Sequence, residues 1–440
     1  MATSKKGAAQ KGATRPQPNE SLDSVSSSTE KLLLDALERG GESFETGRYL
    51  VTYRENTGEE GAKSLKSRGL RVADARDFDA QAVTPDDIGG AEALNFPEIG
   101  VALVDGAAMA ARGMSVQDEF AADGPMETIE PEYFVFADNS EYLRGFASAA
   151  NTIAKDLGSK PGPVDEDEGV DAAVLGATWG LLRCKVPASL RSGSGIKVAV
   201  LDTGMDLGHP DFAGRVFATR TFVGQPVQDL HSHGTHCIGT SCGPKAPAGT
   251  TPRYGIAFGA RIFVGKVLTN SGGGTTAGVL AGINWAIANR CQVISMSLGS
   301  QAPVQAAYTA AGSAALAKGC LIIAAAGNSA SNTGSPANSP TIMSVASLDP
   351  NLQPSAFSNF GKIEIAAPGR DVFSSVPRPT RYGTKSGTSM ATPHVAGCAA
   401  LWAQTSPALR GMALWQQLRA AARALGLPAS QVGSGLVQAP

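Results

Sequence analysis

Histidine is scarce in this chain and tightly grouped. Five occur in 440 residues, and all fall in three short segments. Asp202–Asp211 holds His209, His231–His236 holds His231, His233 and His236, and Ser386–His394 holds His394. A serine hydroxyl is a weak nucleophile until a base takes its proton. Imidazole titrates in the range that task needs. A buried carboxylate then fixes the imidazole tautomer and stabilises the imidazolium. Asp202, His233 and Ser389 can supply the three parts, and the chemistry they imply is acyl transfer to serine followed by hydrolysis.

Those side chains need elements to aim them. Asp202 closes the apolar run Lys197–Asp202, which reads as a strand, so its carboxylate emerges at the strand's carboxyl end. His233 opens the turn Gly234-Thr235-His236 into a helix. Ser389 lies between Gly387-Thr388 and an alanine-rich helix beginning at Met390. The start of that helix offers unpaired N–H groups and a positive dipole end to a developing oxyanion. A second donor is available in Asn328, which follows the strand Leu321–Ala326 and the turn at Gly327.

The same alternation continues around these positions. Strands are expected at Arg261–Leu268 and Gln292–Leu298, and helices at Thr276–Arg290 and Gln305–Lys318. Short β-branched runs between helical stretches predict βαβ units. The fold class is therefore α/β, a mainly parallel sheet with helices on both faces. In such sheets sites form at the carboxyl ends of strands. Asp202, Ser297-Leu298-Gly299 and Asn328 all fall at such ends.

The first third has another character. Residues 1–46 read as a flexible tail with room for a short helix over Thr29–Arg39, closed by Gly40-Gly41. Residues 47–137 read as a small α+β domain, with apolar segments at Arg48–Tyr53, Gly100–Asp105 and Tyr133–Ala137. Residues 138–172 follow as a helical stretch over Tyr142–Leu157, then a linker carrying the acidic run Asp165–Glu168. The second body occupies 173–440.

Composition narrows the partners. A formal charge of −2 gives no reason to expect nucleic acid or an anionic membrane. No apolar run reaches the roughly 18 residues of a membrane helix. The polar start, with Lys5, Lys6, Lys11 and Arg15, lacks the apolar region of a signal peptide. The expected location is cytoplasmic, or outside the cell by a non-standard route. Six cysteines without a CxxC do not make a disulfide framework and are expected as reduced, buried apolar residues.

The motifs Val200-Leu201-Asp202-Thr203-Gly204, His233-Gly234-Thr235-His236-Cys237, Ala326-Gly327-Asn328 and Gly387-Thr388-Ser389-Met390-Ala391-Thr392-Pro393-His394 resemble those of the subtilisin-like serine proteases (subtilases, peptidase S8). The chain also follows that family's order of Asp, His, Ser. The resemblance covers roughly 173–440. It implies a serine endopeptidase with Asp202, His233 and Ser389 as triad and Asn328 in the oxyanion hole. It also implies that an extended peptide lies between Gly272-Gly273-Gly274 and Ser297-Leu298-Gly299. Gly334 resembles the family's pocket-floor position, leaving room for a large apolar side chain. Tyr49–Tyr53 and Glu130–Phe136 resemble the first and last strands of a subtilase propeptide. On that reading the protein is an autoprocessed zymogen cut between about 138 and 175, with its own N-terminal domain as intramolecular inhibitor and proteins or peptides as substrates.

Other readings stay open at this level. The enzyme could be a narrow maturation protease, or the chain a latent binding protein whose leading domain never leaves. His233 and His236, three residues apart on one helix face, could form a metal pair with Cys237 nearby, but the intervening Gly234 and Thr235 include no metalloprotease glutamate, so a hydrogen-bonding role is expected for His236, and structural roles for His209 and His394. His231 reads as a loop residue. Asp211 stands where the family often binds calcium, yet Gly243–Arg253 has no Asn or Asp to complete such a site. No cofactor is expected to be required.

Overall fold

The computed structural model describes residues 28–38, 44–84, 88, 90–117, 123–137, 176–215, 217–249 and 251–440. The expected helix at Tyr142–Leu157, the acidic linker and most of the N-terminal tail lie outside the described residues.

The leading part runs α1 (Ser28–Glu38), β1 (Glu45–Tyr53), α2 (Gly58–Ser67), β2 (Val72–Asp74), β3 (Ala93–Phe96), β4 (Val101–Val104), α3 (Gly106–Ala111) and β5 (Met126–Phe136). Side chains alternate across a strand, and β1 uses both faces. Val51 and Tyr53 join a core with Leu65 of α2 and Met109 of α3. Leu50 points the other way, with Leu94, Phe96 and Leu103, into a core shared with the second body.

That body contains α4 (Trp179–Arg183), β6 (Lys197–Asp202), β7 (Phe217–Thr221), α5 (His233–Cys242), β8 (Arg261–Lys266), β9 (Gly273–Thr275), α6 (Thr276–Ala288), β10 (Val293–Met296), α7 (Ala306–Ala317), β11 (Leu321–Ala325), β12 (Met343–Leu348), β13 (Ile365–Pro368), β14 (Val372–Ser375), β15 (Tyr382–Lys385), α8 (Thr388–Thr405), α9 (Gly411–Ala421) and α10 (Ala429–Val432). Seven of its strands form one sheet in the order β13-β12-β11-β10-β6-β8-β7. All six pairings in it are parallel. A parallel sheet needs cover on both faces, and the strand sequences provide for it. Val198 and Val200 of β6 pack with Ile238 of α5 and Val395 of α8. Ala199 and Leu201 face Val279 and Ile283 of α6.

The strand order turns at β6, which lies between β8 and β10. A crevice opens at such a switch point, beyond the carboxyl ends of the strands. Strand β9 leaves this sheet and instead pairs antiparallel with β5, so the leading sheet reads β2-β3-β4-β1-β5-β9. One sheet thus joins the two parts of the chain. All six cysteines are buried and free.

Candidate active site

Asp202 is the last residue of β6, and His233 is the first of α5. The His233 Nδ1–Asp202 Oδ1 distance is 2.8 Å, and both side chains are buried, at 2% and 1% exposure. Burial of the imidazole works against its charge, but the Asp202 carboxylate beside it outweighs this, and the pKa is raised well above the usual histidine value. The ring's Nδ1–H therefore points at the carboxylate, and Nε2 faces the cleft.

Ser389 lies in the first turn of α8. Its backbone is clamped: the carbonyl accepts from Ser297 Oγ at 2.7 Å and from Cys237 Sγ at 3.6 Å. Its Oγ makes long contacts of 3.4 Å to the carbonyl oxygens of Ala137 and Ser297. His233 Nε2 is buried with no hydrogen-bond partner. The structure thus joins acid and base directly, while the serine hydroxyl is turned toward Ala137 rather than the imidazole.

Asn328 follows β11. Its Oδ1 accepts from Thr388 N at 2.8 Å and from Thr388 Oγ1 at 2.9 Å. Both are donors, which assigns the amide orientation. The NH2 is left facing the cleft beside Gly387 and the start of α8. A cavity opens beside Ser389, walled by Leu298-Gly299-Ser300 on one side and by Ala325–Asn328 with Gly334 and Ser335 on the other. Gly334 does line it. A Cβ there would stand 2.5 Å from the Ser300 carbonyl, so close approach of the two walls is what demands glycine.

The cleft is occupied by the protein's own strand. Phe136 exchanges two backbone hydrogen bonds of 3.0 Å with Gly299, and Ala137 N donates to Gly272 O at 3.0 Å. Val135 pairs with Gly274, and Phe134 with Thr275. The end of β5 is therefore the middle strand of three, between the two glycine-containing segments singled out from the sequence.

Three of the remaining histidines bond to backbone. His209 Nε2 is 2.8 Å from Arg381 O, His236 Nε2 is 2.8 Å from Val372 O, and His394 Nδ1 is 2.9 Å from Met390 O. His231 is half-buried at the cleft edge, its ring centroid 6.1 Å from that of His233. His236 does not join His233 and Cys237 in a ligand set. Instead a carboxylate oxygen of Asp202, a ring nitrogen of His233 and the Cys237 thiol lie within 4.8 Å of one another. Burial raises the pKa of that thiol, disfavouring the thiolate a metal would need. The Asp211 carboxylate accepts from Tyr254 OH at 2.5 Å and Tyr382 OH at 3.0 Å.

Sequence reasoning did not single out Asp229, Glu130 or Glu132. Glu130 accepts from Ala306 N and Ala307 N at 3.0 and 2.8 Å, capping α7. Glu132 accepts from Ala277 N at 2.9 Å in the first turn of α6. Asp229 lies four residues before His233 in a polar loop, but its role, like that of the two glutamates, shows only in the tertiary hydrogen bonds it makes.

A model of the subtilase family (Peptidase_S8) matches residues 193–435. An alkaline protease of Alkalihalobacillus alcalophilus is 36% identical over 333 residues, covering 74% of this chain and 85% of that protein. Subtilisin Savinase of Lederbergia lenta is 40% identical over 268 residues, covering 59% of this chain and 96% of that protein. Among solved structures, the crystal structure of a cold adapted subtilisin-like serine proteinase matches with a TM-score of 0.53 and 34% identity, covering 60% of this chain and 98% of that one. With an acid–base pair and a serine at the switch point of a parallel sheet, and with these relatives, the chain belongs to the subtilase family of serine endopeptidases.

Proposed function

We propose that Ser389 is the nucleophile, His233 its general base and Asp202 the carboxylate that orients the base. Ser389 Oγ rotates to His233 Nε2, gives up its proton and attacks the scissile carbonyl carbon. The oxyanion is held by the Asn328 NH2 and the Ser389 N–H. His233 returns the proton to the leaving amine, and water then releases the acyl group by the same route. Substrates bind as an added strand between Gly272-Gly273-Gly274 and Ser297-Leu298-Gly299, with one side chain in the cavity beside Gly334. Neutral imidazole is the active form of the base, so a raised His233 pKa favours activity on the alkaline side.

The leading domain acts as an intramolecular inhibitor, and the chain is an autoprocessed zymogen. The observation that carries this is the end of β5 in the cleft, with the Ala137 carbonyl 3.4 Å from Ser389 Oγ. Processing falls within a residue or two after Ala137. The Asp211 carboxylate is read as a structural acceptor of the Tyr254 and Tyr382 hydroxyls.

The test is N-terminal sequencing of the active protein beside the Ser389→Ala variant. The expected new terminus lies within three residues of Ala137, and the variant stays at full length. A terminus inside the acidic run Asp165–Glu168, or self-processing by the purified variant, would overturn the reading.

A further inference from the structure

We infer that Asp229 is a positioning residue for the reaction: its buried carboxylate locks the turn after Asp202 to the start of the His233 helix. Asp229 has 0% exposure. Its Oδ1 accepts from Thr203 Oγ1 at 3.0 Å, His231 N at 2.9 Å and Ser232 N at 2.9 Å. Its Oδ2 accepts from Thr235 N at 2.9 Å and Thr235 Oγ1 at 2.7 Å. Thr203 follows Asp202 directly, and its hydroxyl also accepts from Gly234 N at 2.9 Å. One carboxylate therefore holds residues on either side of His233 and the residue beside Asp202.

The local backbone explains the need. Ser232, which precedes α5, has a φ of +81° and makes no side-chain cap of its own. Asp229 supplies the missing cap from outside the helix, satisfying the Thr235 N–H. Its charge is offset by Lys266, which is itself fully buried. Lys266 Nζ donates to the Thr203 carbonyl and, at 2.8 Å, to Asn270 Oδ1. Lys266 is the register partner of Asp202 across β6 and β8.

The test uses the processed enzyme with rates normalised by active-site titration. Asp229→Asn keeps the shape but turns an NH2 toward backbone donors. Misplacement of the base lowers kcat about 10- to 100-fold with KM changed by less than about two-fold. The far-downfield proton of the Asp202–His233 hydrogen bond should shift or broaden. If Asp229→Asn does not accumulate, Thr203→Val removes one strut of the same lock and should change both readouts in the same direction. Unchanged kcat per titrated site together with an unchanged proton signal, in whichever variant folds, would overturn the inference.

A separate observation concerns α1, and we propose that it latches the inhibitory strand. This rests on the reading of the leading domain as inhibitor. Leu33 of α1 packs in one cluster with Phe134 and Phe136, with Leu32 and Ala36 at its edge. Both phenylalanines are 1% exposed. Glu30 of α1 accepts from Ser271 Oγ at 3.3 Å, on the loop that leads into β9. The end of β5 is thus paired on both backbone edges and covered by α1 over its side chains.

The experiment compares Leu33→Asp with the unaltered full chain, following bond cleavage on gels and onset of peptide hydrolysis in parallel. Cleavage should proceed equally, and the lag between cleavage and activity should shorten about ten-fold or more, as loss of a buried leucine contact implies. An unchanged lag after normal cleavage would overturn the latch alone. Absence of cleavage in both proteins would instead overturn the zymogen reading on which it rests.

Discussion

At the scale of residues, the roles proposed for Asp202 and His233 make that pair set the pH dependence. The carboxylate favours the protonated imidazole and so raises the His233 pKa. Activity should fall as pH drops through that value, because only the neutral ring can accept the Ser389 proton. Asp202→Asn removes the favourable charge, so the acid limb of kcat should move to lower pH while the plateau drops by about 10⁴. A limb that stays in place would show that some other group titrates. Asn328→Leu removes one of the two proposed oxyanion donors, and kcat should fall about 100- to 1,000-fold with the KM for a peptide substrate little changed. These residues were legible because each sits in a contiguous motif of unusual composition. Asp229 was less legible, because its meaning lies in where five hydrogen bonds converge and not in its neighbours along the chain.

At the scale of elements, the central strands were readable from their apolar runs. β6 spans the expected Lys197–Asp202, and β11 ends one residue before Ala326. Strand β7, Phe-Ala-Thr-Arg-Thr at the sheet edge, was not read, because its alternation is mild and its outer edge is unpaired in that sheet. Strand β9 is Gly-Gly-Thr, and its two glycines disfavour a strand. It is held in the leading sheet by pairing with β5 and could be recognised only by resemblance. β5 also places Glu130 at the N-terminus of α7, where its two oxygens accept from Ala306 N and Ala307 N, although burial pushes its pKa up on balance. Glu130→Gln keeps the side-chain shape but turns an NH2 toward one of those N–H donors. On the zymogen reading, the lag between chain cleavage and activity should then shorten a few-fold or more, as the loss of one buried backbone hydrogen bond implies. An unchanged lag at low salt would remove Glu130 from the docking interface's energetics.

At the scale of the whole molecule, two bodies share one sheet and one core. Leu50, Leu94 and Phe96 of the leading domain are fully buried in the cluster that includes Val279 and Ile283 of α6. Each such side chain contributes about 1.5–3 kcal/mol on burial, so cutting the chain after β5 does not by itself free the cleft. On the proposed zymogen reading, activity in the full chain waits on release of the leading domain as well as on cleavage. The most direct measurement of the central claim is labelling with a fluorophosphonate probe, followed by mass spectrometry of the modified peptide. A single adduct on Ser389 is expected, formed quickly after the leading domain is removed, slowly or not at all in the intact chain, and never in Ser389→Ala. An adduct on another residue, or peptidase activity that persists in the alanine variant, would contradict it.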